Sequence, residues 1–205
     1  MIAGVYAITP ECADTALLAR KAEMAILGGA KILQYRSKSG SENLRLEQAI
    51  VIGAVCNRYS VPFIINDEVD LALEVGSDGV HIGSNDGPVD DVRKKLKGKI
   101  LGVSCYDSID LALDAQNLGA DYVAFGSFFA SLTKPDAVRA PLSLLQMSKL
   151  SLKIPVVAIG GITLENGARL VESGADALAV VSSLFDAPDI RVAANHFSEL
   201  FSIKK

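Results

Sequence analysis

Gly174-Ala175-Asp176, followed by the apolar run Ala177-Leu178-Ala179-Val180-Val181, is the stretch on which the fold turns. A stretch of helical period precedes it. The same junction recurs at Gly29-Ala30-Lys31, Gly76-Ser77-Asp78 and Gly119-Ala120-Asp121, each time between a helical stretch and a short apolar run. Its logic is local: glycine takes the left-handed conformation that ends a helix, and a small residue lets the chain turn tightly into a sheet. The other apolar runs begin near Val5-Tyr6-Ala7-Ile8, Phe63-Ile64-Ile65, Ile100-Leu101-Gly102-Val103 and Val156-Val157-Ala158-Ile159. With the runs at Ile32-Leu33-Gln34, Gly79-Val80-His81-Ile82 and Tyr122-Val123-Ala124-Phe125 they make eight, and the four junctions precede the second, fourth, sixth and eighth.

Short apolar runs alternating with helical stretches predict β-α units around a parallel sheet. A four-fold recurrence along the whole chain fits a closed (β/α)8 TIM barrel better than an open doubly wound sheet, the second choice. Helices are expected from Thr15 to Leu27, Glu42 to Tyr59 and Ser108 to Leu118, with N-caps at Asp14 or Thr15, Ser41, and Asp107 or Ser108. No linker or composition shift divides the chain, so residues 1–205 are expected to form one catalytic domain.

Half of the 205 residues are apolar, enough for a sizeable core, and the net charge of -4 gives no global pull toward nucleic acid or an anionic membrane. Small-molecule partners are expected instead. Cys12, Cys56 and Cys105 are scattered and lack CxxC spacing, which speaks against a disulfide framework or a zinc site. The opening "MIAGVYAITP" has no basic lead-in and too short an apolar run to span a bilayer, so the cytoplasm is expected.

In a barrel of this kind the chemistry sits at the C-terminal ends of the strands. The polar clusters fall there: Gln34-Tyr35-Arg36-Ser37-Lys38 after the second strand, Asn66-Asp67 after the third, Gly83-Ser84-Asn85-Asp86 after the fourth and Ser104 after the fifth. Gln34, Arg36 and Lys38 share one side of an extended segment, two cations and an amide suited to an anion. Asp67 and Asp86 follow adjacent strands about 4.8 Å apart and can share one hard cation such as Mg2+, which keeps water and phosphate oxygens in its remaining positions. Read separately, Asp67 is equally an N-cap for "EVDLAL" and Asp86 a turn residue in "SNDGP".

Gly160-Gly161-Ile162 and Ser182-Ser183 end the seventh and eighth strands, where many barrels bind a phosphate monoester through backbone N–H groups. A metal-assisted site facing a metal-free one suggests a reaction between a diphosphate and a monophosphate, with Arg36, Lys38 and Lys134 neutralising the leaving group. The long segment "GSFFASLTKPDAVRAP" (126–141) reads as a lid or as a surface loop, with Ser131 and Thr133 on one side of Leu132. His81 lies inside a strand and is assigned a supporting or core role; His196, beside Phe197, is assigned to packing or surface.

Taken in order, "LQYRSK", "FIINDEVDLAL", "GVHIGSND", "GVSC", "FGSFFASLTK", "AIGGI" and "AVVSS" resemble the thiamin-phosphate synthase family over essentially the whole chain. These are (β/α)8 enzymes that couple a hydroxymethylpyrimidine diphosphate to a thiazole phosphate or its carboxylated form. The resemblance implies that Gln34, Arg36, Lys38, Asn66, Ser104 and Lys134 contact the pyrimidine diphosphate, with Tyr35 and Ser37 in the same binding run. Arg36, Lys38, Ser104 and Lys134 would be the catalytic set, Asp67 and Asp86 the Mg2+ ligands. Ser131, Thr133, Gly161, Val181 and Ser182 would hold the thiazole phosphate. In the family the diphosphate leaves first and the thiazole nitrogen captures the pyrimidine carbocation. The chain departs from the pattern at Ser84, where glutamine is usual, and at Ala130-Ser131, where Pro-Thr is usual.

Three rival readings have sequence features against them. The related thiazole tautomerase carries a histidine after the sixth strand, where this chain keeps Thr133-Lys134. A non-catalytic paralogue that merely binds a thiamin-related ligand has no need of both aspartates and the lysines. A sugar-phosphate epimerase wants paired proton-transfer groups or a histidine-bearing metal site.

Overall fold

The computed structural model describes residues 2–84, 86–130 and 138–202. Strands β1 (Gly4–Ile8), β2 (Ala30–Tyr35), β3 (Phe63–Asn66) and β4 (Gly79–Ile82) are followed by β5 (Ile100–Tyr106), β6 (Tyr122–Phe125), β7 (Val156–Ile159) and β8 (Ala177–Val180). Every neighbouring pair is parallel, and β8 closes on β1, giving the expected TIM barrel. The first five helices are α1 (Thr15–Leu27), α2 (Glu42–Arg58), α3 (Val69–Glu74), α4 (Val89–Leu96) and α5 (Ile109–Asn117). They are followed by α6 (Ser143–Ser151), α7 (Leu164–Ser173), the short α8 (Ser182–Phe185) and α9 (Ile190–Glu199). Asp14, Ser41 and Ser108 cap α1, α2 and α5 through their side chains, as their positions predict.

Side chains alternate along each strand and so divide the core in two. One cluster, with Leu33, Tyr35, Ile65, Val80, Val103 and Phe125, packs outward against the helices. The other fills the barrel, with Tyr6, Ile8, Ile32, Ile64, Tyr122, Ala124, Val157 and Ala179. Strand β5 runs to Tyr106, further than its apolar run suggests, through an irregularity in its pairing with β6 between Ser104 and Tyr106.

The recurring junction has a job at the foot of the barrel. Asp78 Oδ2 accepts the N–H of Phe63 at 2.8 Å, Asp121 Oδ2 that of Leu101 at 2.8 Å, and Asp176 Oδ2 that of Val156 at 2.9 Å. In return the N–H of each aspartate donates to the carbonyl of the same residue. Each carboxylate thus staples an even strand to the odd strand before it. Lys31 stands at the fourth junction, where its side chain supplies no such acceptor.

Candidate active site

The mouth is built from the two ends of adjacent loops. Lys38, beyond β2, makes an ion pair with Asp67, just beyond β3. Asp67 has a left-handed backbone, φ 62°, and its N–H donates to the carbonyl of His81 on β4 at 2.8 Å. Its carboxylate does not cap α3, whose N-cap is Glu68 without a side-chain bond. Asp86 serves its own turn, Oδ2 accepting the Gly83 N–H at 2.7 Å, and also stands beside Asp67. Burial and the neighbouring Asp67 carboxylate raise the Asp86 carboxyl above its ordinary range, against the opposing pull of the Gly83 N–H and Lys38. The two crowded carboxylates, not the ammonium beside them, are oxygen donors of the kind a hard divalent cation takes. A cavity of about 780 Å³ opens on the outer side of this pair between α2, α3 and α4. Another hollow, beside Lys21 and Phe185, contains none of the expected site residues.

Alternation alone does not bring Gln34, Arg36 and Lys38 together, because β2 stops at Tyr35. Gln34 is buried inside the barrel and donates to the Tyr6 hydroxyl at 2.8 Å. Tyr35 points the other way, toward α2, its hydroxyl donating to Gln48 Oε1 at 2.8 Å, so within the binding run it is the backbone of Tyr35 that lies nearer the mouth. Arg36 and Lys38 are placed instead by the loop after β1. Thr9 Oγ1 accepts the Arg36 N–H at 2.9 Å, and Glu11 takes the Lys38 N–H at 2.7 Å. Glu11 also accepts from the Ser39 hydroxyl at 2.7 Å and faces the Arg36 guanidinium at 3.5 Å. Ser37 Oγ reaches the same carboxylate at 3.4 Å.

Asn66 ends β3 two residues after the inward-facing Ile64, so its side chain is directed to the mouth. Ser104, part of β5 and not beyond it, is hydrogen-bonded to His81 Nε2 at 2.8 Å. Tyr106, with φ 53°, bonds its hydroxyl to Ser84 Oγ at 2.9 Å and accepts the Ser84 N–H, bracing the turn that carries Asp86. Thus Ser84 has a partner of its own where the resemblance expects glutamine.

Around the ring, β7 and β8 face β3 and β4. Gly160 and Gly161 have φ 101° and 63°; a Cβ on the first would collide with Ser127 and on the second with the Ala130 carbonyl. Glycine is therefore required for the 126–130 segment to lie against this loop, where Phe129 N donates to Gly160 O at 3.0 Å. Ser183 Oγ donates to Ile162 O at 2.5 Å, tying the β8 loop to the β7 loop. Val181 continues the inward-facing set of Ala177 and Ala179, and Ser182 heads α8, whose first N–H groups lack intrahelical acceptors. Ser131, Thr133 and Lys134 lie outside the described residues.

Glu11 and Tyr106 were not singled out by sequence. Glu11 sits among loop residues of "TPECAD", and only the fold shows what it faces. His196 is exposed on α9, in keeping with its assignment to packing or surface.

A closed parallel barrel with an acid-lysine cluster at one side of its mouth and a glycine-built turn at the other belongs to the class of TIM barrels, whose chemistry sits at this end of the strands. Within that class a family model described as thiamine monophosphate synthase matches residues 5–184. The chain is 51% identical over 201 residues to the thiamine-phosphate synthase of Nitrosospira multiformis, covering 98% of this chain and 86% of that one. It is 50% identical over 200 residues to the enzyme of the same name from Thiobacillus denitrificans, covering 97% and 95%. The solved thiamine phosphate pyrophosphorylase of Pyrococcus furiosus superposes with a TM-score of 0.87 at 33% identity, covering 97% of this chain and 95% of that one. The chain belongs to the thiamine monophosphate synthase family.

Proposed function

We propose that this chain joins a hydroxymethylpyrimidine diphosphate to a thiazole phosphate, or its carboxylated form, releasing thiamin phosphate and diphosphate. Beyond family membership, one observation supports the reading: Lys38, Asp67 and Asp86 meet at neighbouring strand ends, across the ring from the Gly160-Gly161 turn. Asp67 and Asp86 would hold Mg2+, which when bound supplies positive charge beside the departing diphosphate. Arg36 and Lys38, with Lys134, neutralise the negative charge that develops on the diphosphate as the bond breaks, while Asn66, Ser104 and Gln34 orient the pyrimidine end. Thr133, Ser131, Gly161, Val181 and Ser182 hold the thiazole phosphate, so that its nitrogen faces the methylene carbon. Positioning then replaces covalent catalysis.

Bond breaking leads bond making in this reading, because the cationic groups gather at the leaving-group side. Cys56 and Cys105 are buried free thiols, and burial pushes both up to about 12, so neither is a ready nucleophile. Among the described residues no helix is long and apolar enough to cross a membrane. A cytoplasmic setting, suited to reduced cysteines, goes with the proposal.

Incubation of both substrates with Mg2+ should yield thiamin phosphate and diphosphate in equal amounts. Electron-withdrawing substituents on the pyrimidine should slow single turnovers strongly without weakening binding. Absence of both products would end the assignment, and insensitivity to the substituent would end the dissociative order.

A further inference from the structure

Beneath the mouth a line of hydrogen bonds crosses the barrel. Gln34 Nε2 donates to the Tyr6 hydroxyl at 2.8 Å, the Tyr6 and Tyr122 hydroxyls lie 2.7 Å apart, and Tyr122 is 3.0 Å from His81 Nδ1. His81 Nε2 closes the line at Ser104 Oγ, 2.8 Å away. Its members come from β2, β1, β6, β4 and β5, so it joins two of the proposed substrate contacts through three residues to which no role in the reaction is assigned.

The line has a direction, set at its first link. An amide nitrogen can only donate, so the Tyr6 proton is not directed back at Gln34 and is left for Tyr122. The Tyr122 proton then has His81 Nδ1 as its acceptor. A neutral imidazole that accepts at Nδ1 carries its proton on Nε2, which donates to Ser104 Oγ. Ser104 keeps its own proton to give. Burial raises both phenols well above their ordinary range, so each holds the single proton this count needs. The packing is built for the line. Tyr122 stacks on His81 at 5.5 Å with 25° between ring planes, and a Cβ on Gly102 would collide with the Tyr122 ring and hydroxyl.

We propose that Tyr6 and Tyr122 are positioning residues for the reaction: through this one-way line they hold His81 as the Nε2–H tautomer and commit Ser104 to donate its hydroxyl proton to an acceptor atom of the substrate. The opposite order, in which a turned Gln34 amide accepts from Tyr6, places the proton on Nδ1 and makes Ser104 donate to the ring instead. The two orders present opposite hydrogen-bonding faces. Only the kinetic part of the test rests on the proposed reaction.

The tautomer is read directly by two-bond 1H–15N correlation on protein labelled at histidine, with His196→Gln removing the only other histidine. The expected result is an unprotonated Nδ1 and a protonated Nε2 in the substrate-free protein, with Tyr122→Phe moving protons onto Nδ1. Tyr122→Phe should also raise the KM for the pyrimidine diphosphate about tenfold, the loss typical of one hydrogen bond, and leave that for the thiazole phosphate unchanged. Ser104→Ala added to Tyr122→Phe should cost little more than either alone, since both remove the same donation. A protonated Nδ1 in the unsubstituted protein, or losses that simply multiply, overturns the proposal. The tautomer is measured without substrate, so failure of the line and failure of the assigned reaction are separate results.

Discussion

Glu11 Oε1 accepts the backbone N–H of Lys38 at 2.7 Å, so a carboxylate on the first loop sets the position of a cation on the second. Burial raises the Glu11 carboxyl, but bonds from Lys38 and Ser39 and the charge of Arg36 outweigh it, and the net displacement is below the ordinary carboxylate value. The folded form therefore holds its proton less tightly than the unfolded chain. Stability from this group is complete above the ordinary glutamate range and is lost as the pH falls through the lower folded value. Glu11→Gln should flatten the acid limb of the melting-temperature profile between about pH 5 and about pH 3. It should also raise the KM for the pyrimidine diphosphate. A variant with the same acid limb as the parent would refute the clamp.

Asp67→Asn and Asp86→Asn are expected to weaken divalent-cation binding, measured by calorimetry, and to lower turnover by about a hundredfold or more. Relief of the crowding between the carboxylates should leave the folded protein no less stable in cation-free buffer. Unchanged cation affinity in both variants would exclude the pair as ligands.

Lys38→Ala removes the cation beside Asp67 but leaves the turn at Gly160-Gly161 untouched. Affinity for the pyrimidine diphosphate should fall about tenfold or more, and that for the thiazole phosphate should not change. Equal losses for both, in binding titrations, would mean one shared anion site in place of two.

Asp121→Ala leaves the fully buried Leu101 with an unsatisfied N–H at the foot of β5. A cost of about 1–3 kcal/mol in denaturant unfolding is expected, with kcat retained because the change lies at the end of the barrel away from the mouth. A fall in kcat at unchanged stability would contradict that division.

The barrel was legible because its signals are local. A helix end, a glycine and a small residue repeat before alternate strands, and Thr15–Leu27 starts after its Asp14 cap and stops just before the Gly29 junction. The polar strand ends were legible for the same reason. What escaped was placement that depends on partners distant in sequence. Alternation put Gln34, Arg36 and Lys38 on one side, but it could not show that β2 ends at Tyr35, that Gln34 turns into the barrel to meet Tyr6, or that Arg36 and Lys38 owe their positions to Thr9 and Glu11. Tyr106 lies beyond the apolar run that ends at Val103 and carries no local signal of a role. Its hydroxyl reaches Ser84 only because β5 runs two residues past Ser104.

The aspartate staples at the foot have a consequence for chemistry they never touch. Sliding one strand by a single residue would exchange its inner and outer faces. On β4 such a slip would turn His81 toward the helices, on β5 Ser104 and on β6 Tyr122, replacing a polar interior with Val80 or Ile82, Val103 or Cys105, and Val123. Asp78 and Asp121 anchor the two strand pairs to which these residues belong, β3 with β4 and β5 with β6. Three carboxylates at one pole of the molecule thus act as a ruler for the other.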